Sequence, residues 1–141
     1  MGIRQLSIFI ENKKGRLTKI AKIISSAGID IRAISVADTS GFGILRIIVD
    51  DPDRAKNVLQ KSNIIVSVTN VIAVEIKDKP GEFYRVMSIL SDNDIGVEYM
   101  YAFISREKNK AFIILKIENE DKAVEVLKDN DVCLLNKNQI Q

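Results

Sequence analysis

The sequence is written twice. Residues 8–17 match residues 74–83 in the order of their apolar, polar and glycine positions, which puts Gly15 and Gly81 66 residues apart. Farther along, 49–55 matches 117–123 at a spacing of 68. Two residues have therefore entered the second copy, and the polar run Ser105-Arg106-Glu107-Lys108-Asn109-Lys110 is their natural place, because an insertion at a hairpin tip costs little. Self-similarity at this period confines the chain to two small, like domains, expected at 1–69 and 70–141. Thr69-Asn70 leaves almost no linker, so the halves are expected to pack as a rigid pair.

Hydrophobic periodicity assigns the same elements to each copy. Residues 6–10 and 71–76, rich in Ile and Val, read as first strands, each followed by a glycine turn. Leu17, Ile20, Ala21 and Ile24, and again Phe83, Val86, Met87 and Leu90, fall at i, i+3, i+4, i+7 and give each following helix an apolar stripe that needs a sheet. Ala27-Gly28 and Asn93-Asp94 end these helices. Second strands are expected at 29–37 and 95–104, third strands at 44–49 and 111–117, and last strands at 64–68 and 132–135. Between the third and last strands, Asp51 and Asn119 are expected to cap short helices, with Pro52 at the first helical position. The plan is β-α-β-β-α-β twice, an α+β, ferredoxin-like fold whose antiparallel four-stranded sheets carry both helices on one face. A sheet covered on one face alternates, yet the third strands are nearly continuous apolar runs. Their second face is expected to meet another sheet, from the other copy or another chain, and a homodimer is expected.

Composition removes most chemistries from such a scaffold. The chain has no histidine, which excludes Ser-His-Asp and Cys-His nucleophilic sites, histidine-ligated metals and imidazole pH switches. Cys133 stands alone, so no intrachain disulfide or multi-cysteine metal site can form, and on a last strand it reads as a small buried hydrophobe. No cofactor is expected. Twenty-one Lys and Arg against 19 Asp and Glu give a net charge of +2 and no single-sign field, which argues against nucleic acid. Met1-Gly2-Ile3-Arg4 lacks the pattern of a signal peptide, Leu6 stands where myristoylation takes Ser or Thr, and no apolar run approaches about 18 residues; a cytoplasmic protein is expected. Tyr99, Tyr101 and Phe103 share a strand face but lack the basic setting of an RNA-recognition module. A metallochaperone would need a cysteine pair in the first loop. An acylphosphatase would need an arginine-bearing phosphate cradle, which Asn12-Lys13-Lys14-Gly15-Arg16 imitates only loosely.

The pattern Asn12-x-x-Gly15-x-Leu17 with Gly28-Ile29-Asp30-Ile31, repeated as Asp78-Lys79-Pro80-Gly81-x-Phe83 with Ile95-Gly96-Val97, resembles the ACT domain, the small-molecule regulatory module of amino-acid metabolism. Both copies match over nearly the whole chain, as in a stand-alone tandem ACT protein with no catalytic domain attached. The resemblance implies an eight-stranded composite sheet of paired domains, amino-acid effectors bound at the interface between domains, and signalling by altered association or orientation. It also implies a biosynthetic enzyme as a possible partner. Carried over position by position, it makes Asn12, Asp30 and Asp78 polar ligand contacts, with Gly96 standing where Asn is usual, so the two sites are expected to differ.

Physical chemistry supplies a reason. A glycine between strand and helix turns the chain sharply and leaves helix amides with a partial positive charge facing outward, a seat for an α-carboxylate. The candidate ligand-binding set is Asn12, Lys14, Gly15, Arg16, Leu17, Asp30 and Ile31 in the first copy, and Asp78, Pro80, Gly81, Glu82, Phe83, Tyr99 and Tyr101 in the second. Structural roles compete for the same residues. Gly15 and Gly81 serve any such turn, Asn12 and Asp78 can cap it, and the tyrosines suit sheet packing. The sequence leaves open a regulatory amino-acid binder, a ligand-free interaction subunit of a biosynthetic enzyme, and, last, an acylphosphatase-like enzyme using Arg16.

Overall fold

The computed structural model describes residues 2–11, 13–39, 41–104 and 107–140. Their order is β1 (Ile3–Glu11), α1 (Arg16–Ser26), β2 (Ile31–Thr39), β3 (Phe42–Val49), α2 (Pro52–Lys61), β4 (Val66–Lys77), α3 (Glu82–Asp92), β5 (Val97–Ile104), β6 (Lys110–Ile117), α4 (Glu120–Asp129), β7 (Cys133–Leu135) and α5 (Lys137–Ile140). The chain divides into two compact units, one built on Arg4–Thr69 and the other on Asn70–Gln139. In the first unit the strands lie in the order β2-β3-β1-β4, and in the second β5-β6-β4-β7. Each is a βαββαβ, α+β unit.

Two expected strands, 64–68 and 71–76, are one. β4 runs without a break from Val66 to Lys77, so seven strands, not eight, occur among the described residues. Val68, Thr69, Val71, Ile72 and Val74 all favour extended backbone, and no glycine or proline at Thr69-Asn70 interrupts it. The second strands start two residues later than expected, at Ile31 and Val97, because the chain first leaves its helix through a positive-φ residue, Gly28 at 72° and Asp94 at 56°.

The helix caps form as the sequence requires. Asp51 accepts from the Arg54 amide at 3.2 Å, with Pro52 behind it, and Asn119 accepts from the Lys122 amide at 3.2 Å. In the first unit Leu6, Ile8, Leu45 and Ile47 meet Ile20, Ile24, Ala55 and Leu59 in one core; in the second Ile72, Val74, Ile113 and Leu115 meet Val86, Leu90, Ala123 and Leu127. Register supports this, pairing Leu6 with Ile47, Ile8 with Leu45 and Val74 with Ile113. The third strands are buried on both faces: Ile47 and Ile48 are consecutive and inaccessible, as are Ile114 and Leu115.

Side chains of both first helices and of β7 face otherwise than their spacing predicts. Leu17, Ala21 and Phe83 are exposed, and the stripe that packs begins one turn later, at Ile20, Ile23 and Ile24 in α1, with Ala27 just after it, and at Val86, Ile89 and Leu90 in α3. Both phases satisfy the same helical spacing, and the first turn carries the outward part. Cys133 is exposed, not buried. It pairs with Glu75 across the ladder, while Leu134 is the β7 residue that packs into the helix-side core. A further feature is invisible in the pattern: Gln5 is fully buried on β1 and donates to Ser7 Oγ at 3.0 Å, which lies 3.3 Å from Thr69 Oγ1.

The cores are small enough that each layer counts. Leu59→Ala and the equivalent Leu127→Ala, both at fully inaccessible positions, are expected to cost about 2–5 kcal/mol each, read from the midpoint of urea unfolding at unchanged slope.

Candidate functional site

Each unit enters its first helix through a left-handed glycine. Gly15 has φ 89° and Gly81 φ 92°, a region that side-chain-bearing residues avoid. A Cβ at either position would meet nothing within 4 Å, so backbone torsion, not space, requires glycine. The Arg16 amide donates to the Lys13 carbonyl at 3.3 Å and the Lys19 amide to the Gly15 carbonyl at 3.0 Å. Between them, the Leu17 and Thr18 amides have no acceptor among the described residues and form the positive end of α1. The second unit repeats this, with the Glu82 amide on the Lys79 carbonyl at 3.4 Å and the Arg85 amide on the Gly81 carbonyl at 2.9 Å.

Side chains around the two turns differ. Lys14 is exposed, and Arg16 lies 3.5 Å from Glu11, which Lys13 holds at 2.9 Å. Asp78 and Pro80 are exposed; Glu82 is largely covered and sits 3.4 Å from Arg85 and 4.0 Å from Lys79. Leu17 and Phe83, 47% and 45% exposed, stand beside the respective turns as unburied apolar surface. Asn12 lies outside the described residues.

The structure does not bring every candidate together. Asp30 and Ile31 follow the far end of α1, whose 11 residues span about 16 Å from the Gly15 turn. There Asp30 pairs with Arg32 at 2.8 Å and lines an open pocket of about 440 Å³ with Gly28, Ile29 and Ile31. The equivalent pocket of the second unit, about 290 Å³, has Gly96 in place of Asp30. Tyr99 and Tyr101 lie half-buried on β5, opposite Lys116 and Ile114. They share the sheet face opposite Met100, which packs into the core under α3 and α4.

A pair of clefts escaped the sequence reading. In the first unit, one of about 540 Å³ opens between the start of α1, the end of β1 and the α2–β4 loop, lined by Phe9, Glu11, Arg16, Lys19, Phe42 and Ile65 among others. The second unit builds the same cleft, about 440 Å³, from the repeat-equivalent positions Glu75, Lys77, Glu82, Arg85, Lys110 and Cys133. The signal was present in the repeat: three apolar residues of one copy answer to two charged residues and a thiol in the other. Phe9 and Phe42 hold their rings 6.1 Å apart. In the second cleft Lys110 instead reaches Glu75 at 3.5 Å and Glu107 at 2.7 Å. Partial burial, then the nearby Glu75 charge, push the Cys133 thiol up from its ordinary range.

Among the described residues no cluster of His, Cys, Asp and Glu suits a metal ion, and no helix is long and apolar enough to cross a membrane. The family model of the ACT domain pair matches residues 1–141. The chain belongs to the ACT-domain family. Among solved structures, this ACT pair is similar to a Bacteroides thetaiotaomicron protein at 38% identity and a TM-score of 0.94, covering 99% of this chain and 96% of that one. It shares its fold with the regulatory subunit of aspartate kinase from Thermus thermophilus, at 13% identity, a TM-score of 0.65 and coverage of 91% and 92%. The corresponding subunit from Thermus flavus gives 13% identity, a TM-score of 0.62 and coverage of 89% and 90%. No curated protein sequence matches.

The hydrogen bond from Lys13, then the charges of Lys13 and Arg16, hold the Glu11 carboxyl below the usual carboxylate range. A depressed folded-state value means that the pairing favours the fold above the unfolded-state value and is lost as pH falls through the folded one. An NMR titration is expected to place the Glu11 midpoint below that of an ordinary glutamate, and Lys13→Met to move it upward.

Proposed function

We propose that this ACT domain pair is a non-catalytic regulatory protein of amino-acid metabolism that binds a free amino acid at its glycine turns. The observation that carries the reading is the duplicated turn itself: φ 89° and 92° at Gly15 and Gly81, first-turn amides without an acceptor among the described residues, and exposed Leu17 and Phe83 beside them. The amides suit an α-carboxylate, and the apolar residues suit the ligand's side chain. The ammonium group needs an acceptor, and Asp78, whose carboxylate has no partner among the described residues, supplies one in the second unit. In the first unit Asp30 is a helix length away from Gly15, so a second copy of the chain would present it, which makes the homodimer part of the proposal. Regulatory subunits of aspartate kinase among the structural neighbours support amino-acid metabolism as the setting.

One observation favours a second reading. Ile34 and Val36, 56% and 51% exposed, lie on β2, the outer strand of the first unit. Such an edge suits docking on a partner protein, as a ligand-free interaction subunit of a biosynthetic enzyme would require.

A thermal-shift screen against the twenty amino acids separates the two. Because a ligand of the native state raises Tm through RT ln(1 + [L]/Kd), a rise confined to one or two amino acids is expected, and a flat screen favours the interaction subunit. Gly15→Val and Gly81→Val, examined singly, are expected to weaken that rise while the fold persists, since the added side chain strains only the turn, by about 1–2 kcal/mol. Wild-type affinity in both variants would remove the turns from the site.

A further inference from the structure

The two repeat-equivalent clefts are an internal comparison, with one backbone plan and two linings. In the second unit three acidic and three basic side chains line the cleft, so its charge balances. Glu75 and Lys110 pair across it at 3.5 Å, and Arg85 is engaged by Glu82 at 3.4 Å and by the Asn130 carbonyl at 3.3 Å. In the first unit the corresponding positions leave apolar surface open. Phe9 is 48% exposed, Phe42 41% and Ile65 69%, although all three line a concavity of about 540 Å³, within the usual size range of small-molecule sites. Its charged members are Arg16, Lys19 and Glu11. Glu11 is already neutralised by Lys13 at 2.9 Å and Arg16 at 3.5 Å, and Lys19 has no ion-pair partner among the described residues. The cleft therefore presents surplus positive charge beside an exposed pair of aromatic rings.

We infer that this first-unit cleft is a ligand site for a small carboxylic acid with an aromatic body, and that its second-unit equivalent is not. The rings at Phe9 and Phe42, tilted 42° to each other, offer faces and edges to a third ring, while Lys19 and Arg16 offer charge-assisted donors to a carboxylate. The site is lined by the start of β3 and the α2–β4 loop as well as by α1, and it does not depend on the glycine turns taking an amino acid.

Phenylacetate is a suitable probe, with benzyl alcohol lacking the charge and acetate lacking the ring. Two-dimensional NMR of the full chain is expected to show saturable shifts at Phe42, Ile64 and Ile65 with phenylacetate. Affinity should fall at least about tenfold for either control compound and for Lys19→Ala. Phe42→Lys and Ile65→Cys, which install the second unit's residues at positions already exposed, are expected to abolish the shifts while leaving the rest of the spectrum in place. Gly81→Val, which strains only the second unit's turn, is expected to leave phenylacetate binding within about twofold, which distinguishes this site from the amino-acid reading. The inference is overturned if phenylacetate produces no saturable shift, or if it shifts the residues around Lys110 and Cys133 equally. It is also overturned if Phe42→Lys changes the oligomeric state of a protein that ignores the probe, since the rings then belong to an interface between copies.

Discussion

At Gly15 and again at Gly81 the backbone passes from strand to helix with φ near 90°, and much else in the two units follows from that passage. The turn starts α1 and α3, whose later residues Ile20 and Val86 reach the sheet while Leu17 and Phe83 beside the turn stay exposed. It also aims the first amides of each helix outward while the same helix is anchored by its later turns. Stability and accessibility are thereby assigned to different turns of one element. The buried turns hold the fold, and the first turn is left for whatever approaches it.

Duplication has preserved this scaffold and released its surfaces. The cores are superimposable in kind, with Leu59 answering to Leu127, Ala55 to Ala123 and Ile24 to Leu90, because close packing tolerates little change of volume. The clefts beside them have diverged at Phe9 and Phe42, from a pair of phenyl rings to an ion pair, because partly solvated positions make no such demand. An ion pair at that exposure adds little stability of its own. What it changes is which molecules the concavity accepts.

Much of this was legible in the residues. The repeat, the glycine turns, the capping carboxylate of Asp51 and the two-sided burial of the third strands all follow from local rules that read one element at a time. The misses share a cause. Leu17 and Ile20 satisfy the same helical spacing, so only the position of the sheet beneath α1 decides which of them is covered. Cys133 alternates correctly within its strand, but the face it occupies depends on its pairing with Glu75. Strand β4 had to be seen whole before Thr69-Asn70 could be recognised as extended backbone. The clefts combine residues from four separate segments, and no window along the sequence contains them. Asp30 and Gly15 belong to one motif, and the length of α1 separates them in space.

The left-handed residues record how firmly each turn is held. Gly28 at φ 72° answers to Asp94 at 56°, Gly41 at 83° to Asn109 at 64°, and Asn63 at 60° to Asp131 at 60°. Asn and Asp reach φ near 60° at modest cost, so helix exits and hairpin tips have exchanged residues freely between the copies. Gly15 and Gly81, at 89° and 92°, have not. The chain thus carries its own record of substitution, in which the departures from helices are negotiable and the entries are fixed.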